Sequence, residues 1–191
     1  LYNLNAIKPP PLVAGDLRYG VSERVAGSGE VIEPLTDDEV ADLLRQVRKG
    51  KPESVAISLL FSFAHAEHER RILETLNELN VPLSVSHQIL PEYREYERTS
   101  TVCVNAYLQP LMGRYLGKLG THAAGMQHAG GLRTKLRVMQ SSGGSISAEA
   151  AANEPVRTVL SGPAPRPSLI SKNSARETMS RGARSLIVGA Y

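Results

Sequence analysis

Residues 54–86, SVAISLLFSFAHAEHERRILETLNELNVPLSVS, decide the fold. Ser54 to Ser62 is apolar at odd and even positions alike and carries branched side chains, the pattern of a strand covered by helices on both faces. From His65 to Asn80 the period changes, and Ile72, Leu73, Leu76 and Leu79 fall on one face of a helix. Val81 to Ser86 reads as a strand again. Strand, helix and strand make a βαβ unit with parallel strands and a right-handed crossover. The chain is therefore α/β.

The same reading extends in both directions. Thr36 and Glu39 have the spacing of a capping box. Behind them Val40, Leu43, Leu44 and Val47 recur at helical spacing, Arg45, Arg48 and Lys49 suit the negative end, and Gly50 with Pro52 stops the helix. Leu17 to Ala26 predicts a strand that turns at Gly27-Ser28-Gly29 into Val31-Ile32 as an antiparallel pair. Before it, the prolines of KPPPLVAG (residues 8–15) impose an extended entry. Pro91 to Gly120 is the longest helical candidate, with a stripe from Val104 to Leu119 and a kink expected at Pro110. Residues 120–131 read as a flexible loop, Lys135 to Gln140 as a strand, Ser141 to Gly144 as a tight turn, and Ser147 to Asn153 as a short helix capped by Ser147.

Composition narrows the functional classes. With 191 residues, 41% hydrophobic and 21% charged, the chain has the make-up of an ordinary globular domain, and no apolar run reaches the 18 residues of a membrane span. Leu1 to Pro11 lacks the basic start and apolar core of a secretory signal, and a chain opening on Leu1 is expected to be a piece of something longer. The single cysteine, Cys103, lies in an apolar run and reads as a buried inert thiol in a reducing, cytoplasmic setting. Residues 165–191 hold Arg166, Lys172, Arg176, Arg181 and Arg184 against Glu177 alone, but stacking aromatics are absent until Tyr191, so no nucleic-acid partner is expected.

Three constellations carry chemistry. In PEYREYERTST (residues 91–101), Glu95 with Arg98 and Arg94 with Glu97 have ion-pair spacing, and the interleaved Tyr93 and Tyr96 suggest a face packed on one side. Gln140 to Gly144, read as a strand-to-helix turn, either simply connects the two elements or offers backbone donors to an anion or a carbonyl oxygen. His65, His68 and His87 with Glu67 and Glu69 have no metal-ligand spacing, and His65 and His68 are expected near an exposed helix start, so no metal site is assigned. The GxSxG, HExxH, GxGxxG and P-loop patterns are absent.

REYERTSTVCVNAYLQPLMGRYL (94–116), together with KPPPLV (8–13), ERV (23–25), SLLFSF with the following HE (58–69), LPE (90–92), VMQSSGG (138–144) and PVRTVLSGPA (155–164), resembles the hydantoinase A and 5-oxoprolinase family, in the family's order. The resemblance implies a partial actin-like ATPase fold of ribonuclease H type, in which two α/β lobes close on ATP. Residues 1–164 would be the later part of the first lobe. Residues 165–191 would be the crossover helix and the start of the second lobe, with Pro165-Arg166-Pro167 where the family has glycines. Such enzymes use ATP and magnesium to phosphorylate a carbonyl or enolate oxygen, either to hydrolyse a cyclic amide or, as subunits of acetone-type and acetophenone-type carboxylases, to fix carbon dioxide. The family's two glycine-rich phosphate loops have no counterpart here, so tight ATP binding by this chain alone is not expected, and a non-catalytic folding or subunit-contact module is the third reading. The expected partners are the rest of a longer chain or a second, hydantoinase B-like subunit.

Motif position and chemistry together single out Glu95, Arg98, Thr99 and Asn105 in the long helix, and Ser142, Gly143 and Ser161 in two turns, as substrate or interlobe-cleft candidates. Arg98 offers a planar donor fork for a carboxylate or phosphoryl group, and the turn residues offer donors to a polarised oxygen.

Overall fold

The backbone of the computed structural model is described for residues 11–125, 136–159 and 185–190. Within them run β1 (Arg18–Val21), β2 (Arg24–Val25), β3 (Val31–Glu33), α1 (Asp37–Gly50), β4 (Ser54–Ile57), α2 (Glu67–Leu76), β5 (Leu83–Val85), α3 (Ser86–Ile89), α4 (Glu95–Gly125), β6 (Arg137–Met139), β7 (Ser145–Ser147), α5 (Ala148–Asn153) and β8 (Ser185–Ala190). Ser161, the Pro165-Arg166-Pro167 run and the expected crossover helix lie outside the described residues, as do residues 8–10 of the KPPPLVAG entry.

The main sheet has the order β1-β8-β4-β5 with every neighbouring pair parallel. All four residues of β4 are buried. Its alternation sends Val55 and Ile57 into a core with Leu43 and Val47 of α1 and Ile72 and Leu76 of α2. Ala56 points the other way, against Val102, Cys103 and Ala106 of α4. Helices thus cover both faces, as the doubly apolar pattern predicts, and the βαβ unit from β4 through α2 to β5 is present. The strand at residues 185–190, assigned by resemblance to the opening of a second lobe, lies in this same sheet between β1 and β4.

Thr36 caps α1 through the full capping box, accepting from the Glu39 N–H at 3.3 Å while the Glu39 carboxylate accepts from the Thr36 N–H at 3.3 Å. Burial works against the charged Glu39, but hydrogen bonds from Ser22 and Thr36 outweigh it and hold its carboxyl below the usual range.

The structure corrects several expectations, each for a local reason. The single strand over 17–26 is two, because Ser22 N–H donates to the Glu39 carboxylate at 3.0 Å and Glu23 turns inward, so β1 joins the parallel sheet and β2 pairs with β3. The strand at 54–62 ends at Ile57, since the backbone of Leu59 bonds to side chains and Phe61 takes a positive φ of 58°. Helix α4 starts at Glu95, passes Pro110 and continues to Gly125, through half of the expected loop. The turn at 141–144 does not lead into a helix but closes an antiparallel hairpin between β6 and β7, after which Ser147 caps α5 as anticipated. Tyr93 and Tyr96 are exposed, and the packed side of their segment is formed by Arg98 and Val102 instead.

Candidate functional site

In a parallel sheet every strand ends on the same side, and open α/β sheets bind ligands in the crevice beyond those ends. Here that side gathers Glu23 after β1, Ser58 and Leu59 after β4, Ser86 and His87 after β5, Gly189 in β8, and the first turns of α2 and α4.

Glu69 organises it. The side chain is fully buried, and its four acceptor contacts reach the loop after β4 and the first turn of α3: Oε1 takes the Leu59 N–H at 2.8 Å and the Ser86 hydroxyl at 2.7 Å. Oε2 takes the His87 N–H at 3.0 Å and Nδ1 at 2.7 Å. Because Ser86 gives its proton to Glu69, the Ser62 hydroxyl is the donor in the 2.8 Å bond between Ser62 and Ser86. A buried carboxylate holding four donors is well compensated for its lost hydration.

Arg98 approaches the same loop from α4. It is 1% exposed, its Nη2 donates to Leu59 O at 2.9 Å and its Nη1 to Glu92 O at 2.5 Å, and its guanidinium lies 5.6 Å from the centroid of the Phe63 ring. Burial lowers its pKa while the Glu69 and Glu95 charges oppose that shift, and its Nε has no hydrogen-bond partner. Leu59 is therefore held at both backbone groups, at N–H by an anion from α2 and at C=O by a cation from α4. That grip fixes Ser58, whose N–H donates to Val188 O at 2.9 Å and whose hydroxyl shares a 2.8 Å hydrogen bond with Thr99. A Cβ on Gly189 would stand 3.3 Å from Ser58 O, so a small residue suits the point where β8 passes the loop.

A parallel arrangement lies behind β1. His68, 5% exposed, accepts weakly from Leu35 N–H at its Nε2, which leaves Nδ1 as the donor to Glu23 at 2.6 Å. The five His and Glu positions considered together in the sequence thus separate: His68 pairs with Glu23 and His87 with Glu69. His68 is buried rather than at an exposed helix start.

The candidates from sequence fall in different places. Arg98 and Thr99 sit at the strand ends; Glu95, one turn earlier, is exposed. Asn105 faces the edge strand β5, where its Nδ2 donates to Ser84 Oγ at 2.9 Å and Asn153 O at 3.1 Å and its Oδ1 accepts from Val156 N–H at 3.1 Å. Gln109 completes that network through Ser84 and Asn153, and it joins α4 to α5. Ser142 and Gly143 are exposed in the β6–β7 turn. Sequence reasoning missed Ser58, Ser62, Ser86 and Gln109, and treated Glu69 only as a metal ligand to be set aside. The signal for Glu69 was present, since Ile72 and Leu76 follow at i+3 and i+7 on the buried face.

Two consecutive family models match this sequence: the hydantoinase/oxoprolinase N-terminal region over residues 1–80 and hydantoinase/oxoprolinase over residues 98–179. The chain belongs to the hydantoinase/oxoprolinase family. It is 31% identical to the caprolactamase subunit alpha of Pseudomonas jessenii over 87% of its own length and 24% of that protein's. It is 38% identical to the acetophenone carboxylase gamma subunit of Aromatoleum aromaticum over 58% of its length and 16% of that protein's. The nucleotide-free structure of acetone carboxylase superposes with a TM-score of 0.63 at 28% identity, over 80% of this chain and 22% of that one. The chain therefore spans about a quarter of the length of such relatives, or less.

Among the described residues the positive-φ glycines, Gly29, Gly143 and Gly144, lie in hairpin turns, and no three His, Cys, Asp or Glu side chains converge as metal ligands would. The hydrogen bonds of Arg98 go to carbonyl groups.

Proposed function

We propose that this chain is the part of an ATP-dependent cyclic-amide hydrolase that walls the substrate side of its cleft. In this reading ATP and magnesium are held by other parts of a family-length protein, and phosphorylation of the substrate carbonyl makes it open to water. The observation that supports the reading most is the Glu69–Leu59–Arg98 grip at the strand ends, because it spends two buried charges on orienting one loop. Ser58 and Thr99 are what the grip positions. One hydrogen bond joins their hydroxyls, so one of the two protons remains to donate to a substrate oxygen, and Thr99 is the more exposed of the pair. Arg98 and Glu69 are positioning residues in this scheme.

A second reading, the ATP-using subunit of an acetone-type or acetophenone-type carboxylase, draws support from the likeness to two carboxylases, by structure and by sequence. Both readings predict that the 191-residue chain titrated with ATP and magnesium shows no saturable heat of binding; saturable, magnesium-dependent binding overturns the assignment of the nucleotide to other parts. Replacing the matched segment of the Pseudomonas caprolactamase subunit alpha with the whole 191-residue chain, which keeps β8 between β1 and β4, separates the two. Phosphate release from ATP driven by caprolactam or 5-oxoproline supports the hydrolase. Release driven only by acetone with bicarbonate supports the carboxylase, and a folded chimera silent with all of them removes both.

A further inference from the structure

Helix α4 carries apolar residues on two separate sides. Its inner side, with Arg98, Val102, Asn105, Ala106, Gln109 and Leu116, is buried in the domain. Its outer side carries a second series at alternating spacings of four and three: Glu97, Thr101, Val104, Leu108, Leu111, Tyr115, Lys118 and His122. Val104 is 37% and Tyr115 59% exposed, and Leu108 and Leu111 are half-buried. A surface helix packed on one side alone presents a polar outer face; a helix apolar on both faces is covered on both. The 3.5-residue repeat is moreover the spacing of a helix that pairs along its length with another helix.

The charges say which helix. The apolar centre, Val104 to Tyr115, has Glu97 beyond its N-terminal end and Lys118 and His122 beyond its C-terminal end. No Asp or Glu follows Glu97 in α4. A parallel pairing of two such helices sets Lys118 against Lys118 and Glu97 against Glu97. An antiparallel pairing about a two-fold axis sets Leu108 against Leu111, Val104 against Tyr115, and Glu97 of each copy beside Lys118 and His122 of the other. The stripe is complementary to its own reverse, which is the condition for an isologous contact.

We propose that the outer face of α4 is a self-association surface, on which a second copy of this chain packs its own α4 antiparallel. The proposal does not depend on the enzymatic readings above. It is tested by sedimentation velocity of the full 191-residue chain over a concentration series. A reversible dimer is expected, and Leu108→Glu with Leu111→Glu raises its dissociation constant by at least about a hundredfold, as loss of central interface residues does. Glu97→Lys alone weakens the dimer by about tenfold, and adding Lys118→Glu restores it, since the pair is exchanged rather than removed. Circular dichroism of the variants is expected to match that of the parent at concentrations where the parent is monomeric, and the exchange of the exposed Glu97 and Lys118, which spares the half-buried leucines, separates lost association from lost folding. A chain that stays monomeric throughout the series overturns the proposal, whether the face is bare or covered by another polypeptide. A dimer indifferent to the leucine substitutions also overturns it, and a dimer that the charge exchange fails to restore overturns the antiparallel arrangement.

Discussion

The loop after β4 and the turn between β6 and β7 both place a serine just past a strand end, and both belong to stretches that resemble family motifs. In the first, the Leu59 N–H and C=O are held by charged side chains from two different helices, and Ser58 is bonded to β8 and to Thr99. In the second, Ser142 and Gly143 are exposed, and the Gly143 N–H reaches only back to Gln140 O at 3.2 Å. The first turn is gripped by two buried charges from different helices; the second is anchored at its first residue, where the Ser141 N–H and hydroxyl donate to Arg157 O at 2.8 and 2.6 Å, while Ser142 and Gly143 at its tip rest on local backbone geometry. A site that must hold a substrate oxygen needs the first kind of support, because donors are useful only where they cannot reorient.

Glu69→Ala tests that distinction with the largest effect. Removing the carboxylate leaves the Leu59 and His87 N–H groups and the Ser86 hydroxyl without their acceptor and takes the opposing charge from near Arg98. The expected loss is about 3–5 kcal/mol of unfolding free energy in urea titrations, the range found when one partner of a buried charged network is deleted. A loss under about 1 kcal/mol, the scale of an exposed pair, would mean that the loop is not held by Glu69.

Cys103, on the face of α4 that packs against the sheet, gives the intermediate case. Burial pushes its thiol up to about 11 from 9.0, with the Arg18 charge pulling weakly the other way. A folded-state pKa above the unfolded one means that the native chain keeps its proton longer. Its contribution to stability is full below about pH 9 and is lost as pH rises from there to about 11. Relative to Cys103→Ala, the parent chain is expected to lose about 2–3 kcal/mol across that interval, measured by urea unfolding at both ends. Equal pH dependence in the two proteins would place the thiol in water.

Much of this organisation is legible in the sequence, and the boundary has a physical basis. The doubly apolar run at 54–57, the capping box at Thr36 and the stripes of α1 and α2 are local patterns, and each specifies an element. The grip on Leu59 joins residues 10 and 39 positions away in the chain, and no local pattern encodes which backbone group a buried charge will bond. Arg98 and Thr99 were nevertheless reachable, because Arg98, Val102, Asn105 and Gln109 recur at helical spacing and place an arginine on a buried face. Ser142 and Gly143 show the opposite hazard. Serine and glycine after a strand satisfy the chemistry of a ligand turn and equally that of a hairpin turn, and only the partner strand β7 separates the two.

The smallest effect belongs to that hairpin turn. Gly143 has a φ of 94°, and a Cβ there would meet nothing within 4 Å, so any cost of Gly143→Ala comes from the backbone alone. That cost is expected to be about 1 kcal/mol, and Asn in place of Ala reduces it, because asparagine tolerates positive φ better. Ser142→Ala should change stability by less than about 0.5 kcal/mol, as an exposed side chain without a tertiary partner does. If urea unfolding finds instead that Ser142→Ala costs as much as Gly143→Ala, the tip of the turn is held by the Ser142 side chain as well as at Ser141, and the contrast with the loop after β4 disappears. If both are cheap for stability but suppress activity in the caprolactamase chimera, the turn meets substrate through a surface that closes over it. The β6–β7 hairpin then joins the Ser58–Thr99 pair as a second wall of the same cleft.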